Sequence, residues 1–300
     1  MEISVVIPTY NGEKKIPYLL ESLIHQTYKN FEVVVVIDGS TDDTEKIVND
    51  AKLLFTKLKI VKQPNTGRAK VRNRGAKEAS GDLLIFFDDD MIPCRDCVSR
   101  HVDFHNHNRI QSILAGDQTE VQRHHYTDIQ NYKASLSKRW LSPYPNGITE
   151  LSRENLFFSA ANCSIKRVDF DTLAGFDERL TDAEDYDLAL RGLKTGMHIF
   201  FDKENIAIHN DKLSARSYVK RLRAYRNAHI QLSEIHYTPT LSSAKPFYKV
   251  VIYRLFASKL WIKLFDRDIL KYLMPTILRF KLYDLVFQSL SIEYSNYDLD

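Results

Sequence analysis

Four short runs of β-branched and apolar residues, Ile3 to Ile7, Phe31 to Ile37, Leu58 to Val61 and Leu83 to Phe87, alternate with amphipathic helix-length stretches over the first 90 residues. That rhythm leaves few folds open. Strands separated by helical connections pair in parallel, and runs that are apolar throughout belong to a sheet covered on both faces. Polar residues gather where the runs stop: Thr9 and Asn11, Asp38 to Asp43, Gln63 to Arg68, and Asp88 to Asp90. In a parallel sheet such strand ends share one edge, where open α/β sheets bind ligands. With 300 residues, 44% hydrophobic and 27% charged, the chain has material for a large core in one or two domains and is too apolar for general disorder.

Beyond Asp90 the pattern is mixed. We expect a strand over Gln111 to Glu120, a polar segment from Gln122 to Glu150 and an apolar run at Leu156 to Ile165. A helix follows over Ala183 to Lys194, with Asp182 as its N-cap and Gly196 as its stop, then a strand at Met197 to Phe201. From Ser214 onward come basic amphipathic helices broken at Pro239, Pro246 and Pro275. The net charge of +3 is too small for polyanion binding in bulk, so no nucleic-acid partner is expected. Its distribution is uneven, because Lys212 to Asp300 carries 15 basic against 7 acidic residues. With Phe256, Trp261 and Phe265 among the cations, this tail fits docking on anionic lipid, and equally packing on the rest of the chain or on a second subunit. No membrane span is expected, since even Val250 to Phe265 contains Arg254, Lys259 and Lys263. The Met-Glu-Ile-Ser start lacks the basic flank of a leader, and Cys94, Cys97 and Cys163 are an odd number. Both point to a cytoplasmic protein, with peripheral attachment to the inner membrane face left open.

The chemistry centres on acids. Adjacent carboxylates repel one another, so Asp88, Asp89 and Asp90 directly after an apolar strand call for a cation, and oxygen ligands suit Mg2+ or Mn2+; a solvated loop is the plain alternative. Cys94, Cys97, His101 and His105 do not make a zinc site, because on one helix they spread over about 16 Å. A face packed on the sheet accounts for them better. No Gly-x-Gly-x-x-Gly follows the first run and no Walker A sequence occurs, which sets aside a dinucleotide oxidoreductase and a P-loop nucleotidase.

Several ordered segments together carry a family likeness: Ile3-Ser-Val-Val-Ile-Pro-Thr-Tyr-Asn11, Val36-Ile-Asp-Gly-Ser-Thr-Asp42, Asn65-Thr-Gly67, Arg72-Asn-Arg-Gly75, Ser80-Gly-Asp82, Asp88-Asp-Asp90, Gly175-Phe-Asp-Glu178 and Glu184-Asp-Tyr-Asp187. Over about residues 1 to 210 the chain resembles the family 2 glycosyltransferases, which have the GT-A fold. The resemblance implies an α/β protein with a mostly parallel central sheet flanked by helices and a C-terminal helical extension. Its domains would be a catalytic domain at 1–211, divided into a nucleotide-binding half at 1–110 and an acceptor-binding half at 111–211, and a basic helical region at 212–300.

The resemblance also implies roles. Asp88 and Asp90 correspond to the outer members of a DxD motif that holds metal and sugar-nucleotide diphosphate, with Asp90 the direct ligand and Asp89 beside the donor. Pro8, Thr9 and Tyr10 would line the nucleoside pocket, Asp38 would read uracil although Ile37 replaces the usual first aspartate of that pair, and Arg72 would contact phosphate. Asp185 matches the general base, Glu184 would place the acceptor, and His209 would contact metal or phosphate. Arg139-Trp140 lacks the glutamine of the Gln-x-x-Arg-Trp motif found in processive members, so one sugar per encounter is expected. The implied enzyme is an inverting, Mn2+- or Mg2+-dependent hexosyltransferase that moves sugar from a UDP-sugar to a hydroxyl of a glycan or lipid-linked glycan in cell-surface polysaccharide synthesis. A catalytically silent nucleotide-sugar-binding or scaffold protein on the same fold is the alternative, and a homo-oligomer is left open.

Overall fold

The computed structural model describes residues 1–120, 127–236 and 247–293. The start of the polar segment, at 122–126, and the helix breaks at Pro239 and Pro246 lie outside the described residues. The chain divides into two compact units, residues 1–119 with 141–211, and residues 120–140 with 212–300.

The first unit begins β1 (Ile3–Thr9), α1 (Ile16–Ile24), β2 (Glu32–Asp38), α2 (Thr44–Ala51), β3 (Leu58–Gln63), α3 (Arg68–Glu78) and β4 (Leu83–Phe87). It continues through β5 (Met91–Pro93), α4 (Cys97–His107) and β6 (Ser112–Thr119). After α5 (Asp128–Leu141) come β7 (Ile148–Leu151), β8 (Asn162–Lys166), α6 (Arg167–Thr172), α7 (Glu184–Lys194) and β9 (His198–His209). Among the described residues, nine strands form one sheet in the order β3-β2-β1-β4-β8-β6-β9-β5, with β7 beside β9. The first four pair in parallel, and the register sets Thr9 against Ile37 and Asp38 against Gln63, so their C-terminal ends are level. β8 enters between β4 and β6 antiparallel to both, while β6 and β9 are parallel, leaving the sheet mostly parallel in direction.

Continuous apolar strands serve two cores at once, because successive side chains point to opposite faces. Val34, Val36 and Phe86 face Ala69, Val71, Phe170 and Leu188 on one side. Val33, Val35 and Phe87 face Leu19, Leu20, Val48 and Val98 on the other. α3 lies tight on β1: a Cβ at Gly75 would sit 2.4 Å from Val6 Cγ1.

Within the apolar run Leu156 to Ile165 the strand starts at Asn162, and just before it Ala160 N–H donates to the Asp185 carboxylate (3.1 Å). Two local expectations are corrected. β9 runs well past Phe201, since its register with β6 jumps from Gly116–Asp202 to Asp117–Ile206 and the bent strand then pairs with β5. Cys94 precedes α4 instead of lying on it. His101 and His105 face β8, where His101 bonds Ser164 Oγ (2.8 Å) and Asn162 Oδ1 (2.9 Å) and His105 bonds Ser164 Oγ (3.0 Å). Burial lowers these two imidazoles to about 4 and about 3.

The second unit gathers most of α5 with α8 (Ala215–Ile235), α9 (Phe247–Phe256), α10 (Lys259–Asp266), α11 (Leu270–Leu273) and α12 (Thr276–Gln288). A Ser214–Ser217 capping box opens α8. The core of this unit is aromatic, with Tyr132, Tyr218, Phe265, Tyr283 and Phe287 in contact. Among the described residues one buried acid anchors it: Asp128 accepts from Arg279 Nη2 (2.8 Å) and Tyr283 Oη (2.8 Å). Among the described residues no helix is long and apolar enough to cross a membrane.

Candidate active site

The level strand ends of the first unit enclose a cleft of about 290 Å³, lined by Pro8, Thr9, Tyr10, Lys15, Asp38, Asn65, Gly67, Arg68, Val71, Arg72 and Asp88 to Asp90. Asp38 is buried at its rim, and its carboxylate accepts from Gln63 Nε2 (2.7 Å), Thr66 N (3.0 Å) and Gly67 N (3.1 Å). It thereby shapes the loop that opens α3, whose N-cap Gly67 takes φ 90°. Half-exposed Tyr10 leaves a ring face in reach of a ligand.

The three consecutive aspartates go to three different partners. Asp88 pairs with Arg72. Asp89 accepts from Thr9 Oγ1 (2.7 Å), and burial, reinforced by the charge of Asp90, pushes its carboxyl up to about 7. That pair needs Gly12, because a Cβ there would lie 2.3 Å from Thr9 Oγ1 and 2.7 Å from Asp89 Oδ2. Asp90 turns toward the end of β9. The β5–β9 register sets Met91 opposite His209, Asn210 N–H donates to the Asp90 carbonyl (2.8 Å), and His209 Nε2 stands 3.4 Å from Asp90 Oδ2.

Asp211 completes this group: Asp90, His209 and Asp211 offer ligand atoms that all lie within 4.8 Å of one another. Two carboxylates and an imidazole can hold a divalent metal ion, and ligands at about 2.1 Å on one ion are separated by about 4 Å at most, so the set fits such an ion after small side-chain shifts. Sequence reasoning named Asp90 and His209 but missed Asp211. Its signal was the i, i+2 spacing from His209 at a strand end, which puts both on one side. Lys15 was missed as well. Its Nζ is 3.5 Å from Asp90 Oδ2, and although burial works against its charge, Asp90, Asp89 and Asp211 together raise its pKa.

The second acidic centre opens α7. Its N-cap is Ala183 in the left-handed region (φ 60°), not Asp182, which pairs with Arg68 (2.9 Å). The Asp182 carboxylate bonds its own neighbour's N–H at Ala183 (2.9 Å), too early in the chain to cap the first turn. Asp185 accepts from Ala160 N (3.1 Å) and Tyr186 N (2.7 Å), which orients both its oxygens. Glu184 is buried against Arg72, and burial raises its pKa despite that cation. Arg72 links the two centres, bonded to Asp88 on one side and Glu184 on the other. Burial opposes its charge, but Asp88 and Glu184 outweigh that and hold the guanidinium protonated. Thus Arg72, expected at phosphate, is engaged by two carboxylates, and Glu184 and Asp185 are not among the residues lining the cleft.

Residues 4–173, more than half the chain, match the family described as Glycosyl transferase family 2. The chain belongs to this family. As a family 2 glycosyltransferase it is a transferase enzyme, and the matched stretch contains every lining residue of the cleft while ending before α7. It is 28% identical over 272 residues to the uncharacterized glycosyltransferase YfnE of Bacillus subtilis (strain 168), covering 75% of this chain and 68% of that one. An uncharacterized glycosyltransferase of Haemophilus influenzae is 42% identical over 88 residues, 29% of either chain. Among solved structures, S. aureus TarS 1-349 superposes with a TM-score of 0.57 at 21% identity, covering 100% of this chain and 93% of that one. The mannosyltransferase PcManGT from Pyrobaculum calidifontis, in complex with GDP-Man and Mn2+, superposes with a TM-score of 0.62 at 17% identity, covering 99% and 88%. At such identities the likeness concerns the fold, which is the GT-A fold expected for family 2. The chain spans only 43% of the longer TarS structure.

Proposed function

We propose that this family 2 glycosyltransferase is an inverting, divalent-metal-dependent enzyme that moves one hexosyl unit from a nucleotide diphosphate sugar, UDP-linked, to a hydroxyl of a glycan or lipid-linked glycan. The observation that carries the reading is the three-ligand group Asp90, His209 and Asp211 beside a cleft built from four strand ends. Structures of TarS with UDP and with UDP-GlcNAc, and of PcManGT with GDP-Man and Mn2+, support a nucleotide-sugar donor and a divalent ion.

In this reading Tyr10 stacks on the base, worth about 1–3 kcal/mol for an aromatic platform, while Pro8, Thr9 and Asp38 form the nucleoside wall. Asp90, His209 and Asp211 would hold the ion, which would supply positive charge to the departing diphosphate. Lys15 adds a second positive charge on the same side. Asp185, its oxygens oriented by Ala160 and Tyr186 N–H, keeps lone pairs for the acceptor O–H and takes its proton. The acceptor oxygen bonds the anomeric carbon from the face opposite the leaving group, the bond to the diphosphate oxygen breaks, and configuration inverts. Glu184, held by Arg72, anchors the first turn of α7 and so positions Asp185 for the acceptor. We place the reaction in polysaccharide synthesis at the cytoplasmic face of the membrane.

The test is turnover of purified protein with a panel of nucleotide sugars and acceptors, alongside thermal stabilisation by donor with and without Mn2+. A donor at 100 times its dissociation constant adds about 2.7 kcal/mol. Asp185→Asn should keep the metal-dependent stabilisation and lose turnover. Turnover that survives Asp185→Asn, or a rate indifferent to chelator, overturns the reading; donor stabilisation without any turnover makes the chain a silent binder.

A further inference from the structure

Helix α9 has the sequence FYKVVIYRLF, and none of its ten residues is buried. Phe247 is 82% exposed and Leu255 71%, with Tyr248, Val250, Val251 and Ile252 also exposed. Phe256 reaches back to the unit's core, stacking on Trp261 at 5.4 Å. Six exposed apolar side chains on one ten-residue helix call for a partner, because soluble surfaces rarely carry so continuous an apolar segment. Lys249 and Arg254 are its only charges, and it has no acid.

The surrounding unit repeats this bias. Lys263, Lys271 and Lys281 on α10 to α12 are exposed. The acids of the same stretch are engaged within the unit: Asp266 accepts from Ala215 N (2.5 Å), Asp268 from Asp128 N (3.0 Å) and Asp284 from Tyr132 Oη (2.5 Å). Residues 247–288 carry eight Lys and Arg against these three acids, so cations dominate the surface field of these helices, and the complementary partner is an anion with an apolar layer beneath it.

We propose that α9 docks on an anionic lipid bilayer, with its apolar side chains in the interfacial layer and Lys249 and Arg254 at headgroup phosphates. A nucleic acid would match the cations but offers nothing to Phe247 and Leu255. A second copy packed symmetrically would set Lys249 and Arg254 against their own duplicates. The inference extends the lipid-linked acceptor reading above, but it rests on the second unit alone and is tested with neither donor nor metal present, so its failure leaves the transfer reaction untouched.

The experiment is sedimentation of the full chain with vesicles of phosphatidylcholine alone and with about one third phosphatidylglycerol, at low and high salt. Partitioning onto the anionic vesicles should exceed that onto phosphatidylcholine at least about tenfold and fall as salt rises. Lys249→Glu/Arg254→Glu and, separately, Phe247→Ser/Leu255→Ser should each weaken it about tenfold or more with unchanged urea unfolding curves, since none of these side chains is buried. No sedimentation at low salt, equal binding to both vesicle types, or unaltered binding by both variants overturns the proposal. A wild-type dimer that either variant converts to monomer also overturns it, in favour of a second copy as the occupant.

Discussion

Arg72→Met removes the cation that answers Asp88 and Glu184 while keeping much of the side-chain volume. Arg72 is 4% exposed and Glu184 2%, whereas the Asp88 side chain retains 35% of its exposure, so the loss falls mainly on Glu184. Glu184 Oε2 already has no hydrogen-bond partner among the described residues. Breaking a buried ion pair by deleting one partner costs about 3–5 kcal/mol, and the wetter Asp88 arm adds little. We expect unfolding in urea, without metal, to show a deficit of about 3 kcal/mol near pH 8. Its pH dependence has a determined sign. Burial already raises the Glu184 pKa, and without Arg72 it rises further. A carboxyl whose folded pKa lies above its unfolded value costs nothing below the unfolded value, then about 1.4 kcal/mol per pH unit until the folded pKa is reached. The deficit should therefore shrink toward pH 5 and grow toward pH 8. Arg72→Met/Glu184→Gln should recover most of the loss and flatten the profile. A deficit under about 1 kcal/mol, or one equal at pH 5 and pH 8, refutes the claim that this arginine balances a buried carboxylate.

Acid should weaken the fold through His101 and His105: both stay neutral when folded, at about 4 and about 3, so stability present above pH 6.5 is lost as pH falls from there, by about 1.4 kcal/mol per unit for each. His105→Gln should roughly halve that slope in urea titrations, and an unchanged slope assigns the acid sensitivity elsewhere. Gly12→Ala should break the Thr9–Asp89 bond, leave the fold standing and cut donor-dependent thermal stabilisation by at least about half; full stabilisation would remove the pair from the donor site. Lys15→Met should tighten Mn2+ binding about tenfold in calorimetry without donor, since a cation 3.5 Å from Asp90 competes for the same charge at a partly exposed position. Equal affinities in wild type and variant would sink that account.

The parallel half of the sheet was legible because its causes are local. Apolar runs with β-branched residues, helix-length connections and polar stops specify β1 to β4 and level their ends, and the motif residues Thr9, Asp38 and Asp88 to Asp90 then line the cleft without further information. The basic helical tail was legible in the same way, from period and charge. What lay beyond reach was pairing between distant segments. Arg72 finds Asp88 and Glu184 at separations of 16 and 112 residues, and nothing near Arg72 in the chain announces either. Asp211 joins Asp90 only because an irregularity in β9 carries that strand on to meet β5. Residues 120–140 read as part of one continuous acceptor segment, yet they cluster with 212–300, since Asp128 and Tyr132 bury themselves among α8 to α12. Sequence alone determined which elements form and which chemical groups stand at their ends, because backbone period and turn chemistry act over a few residues. Tertiary structure decided which of those groups share a charge, a proton or an ion, because partners are chosen by packing across the whole chain.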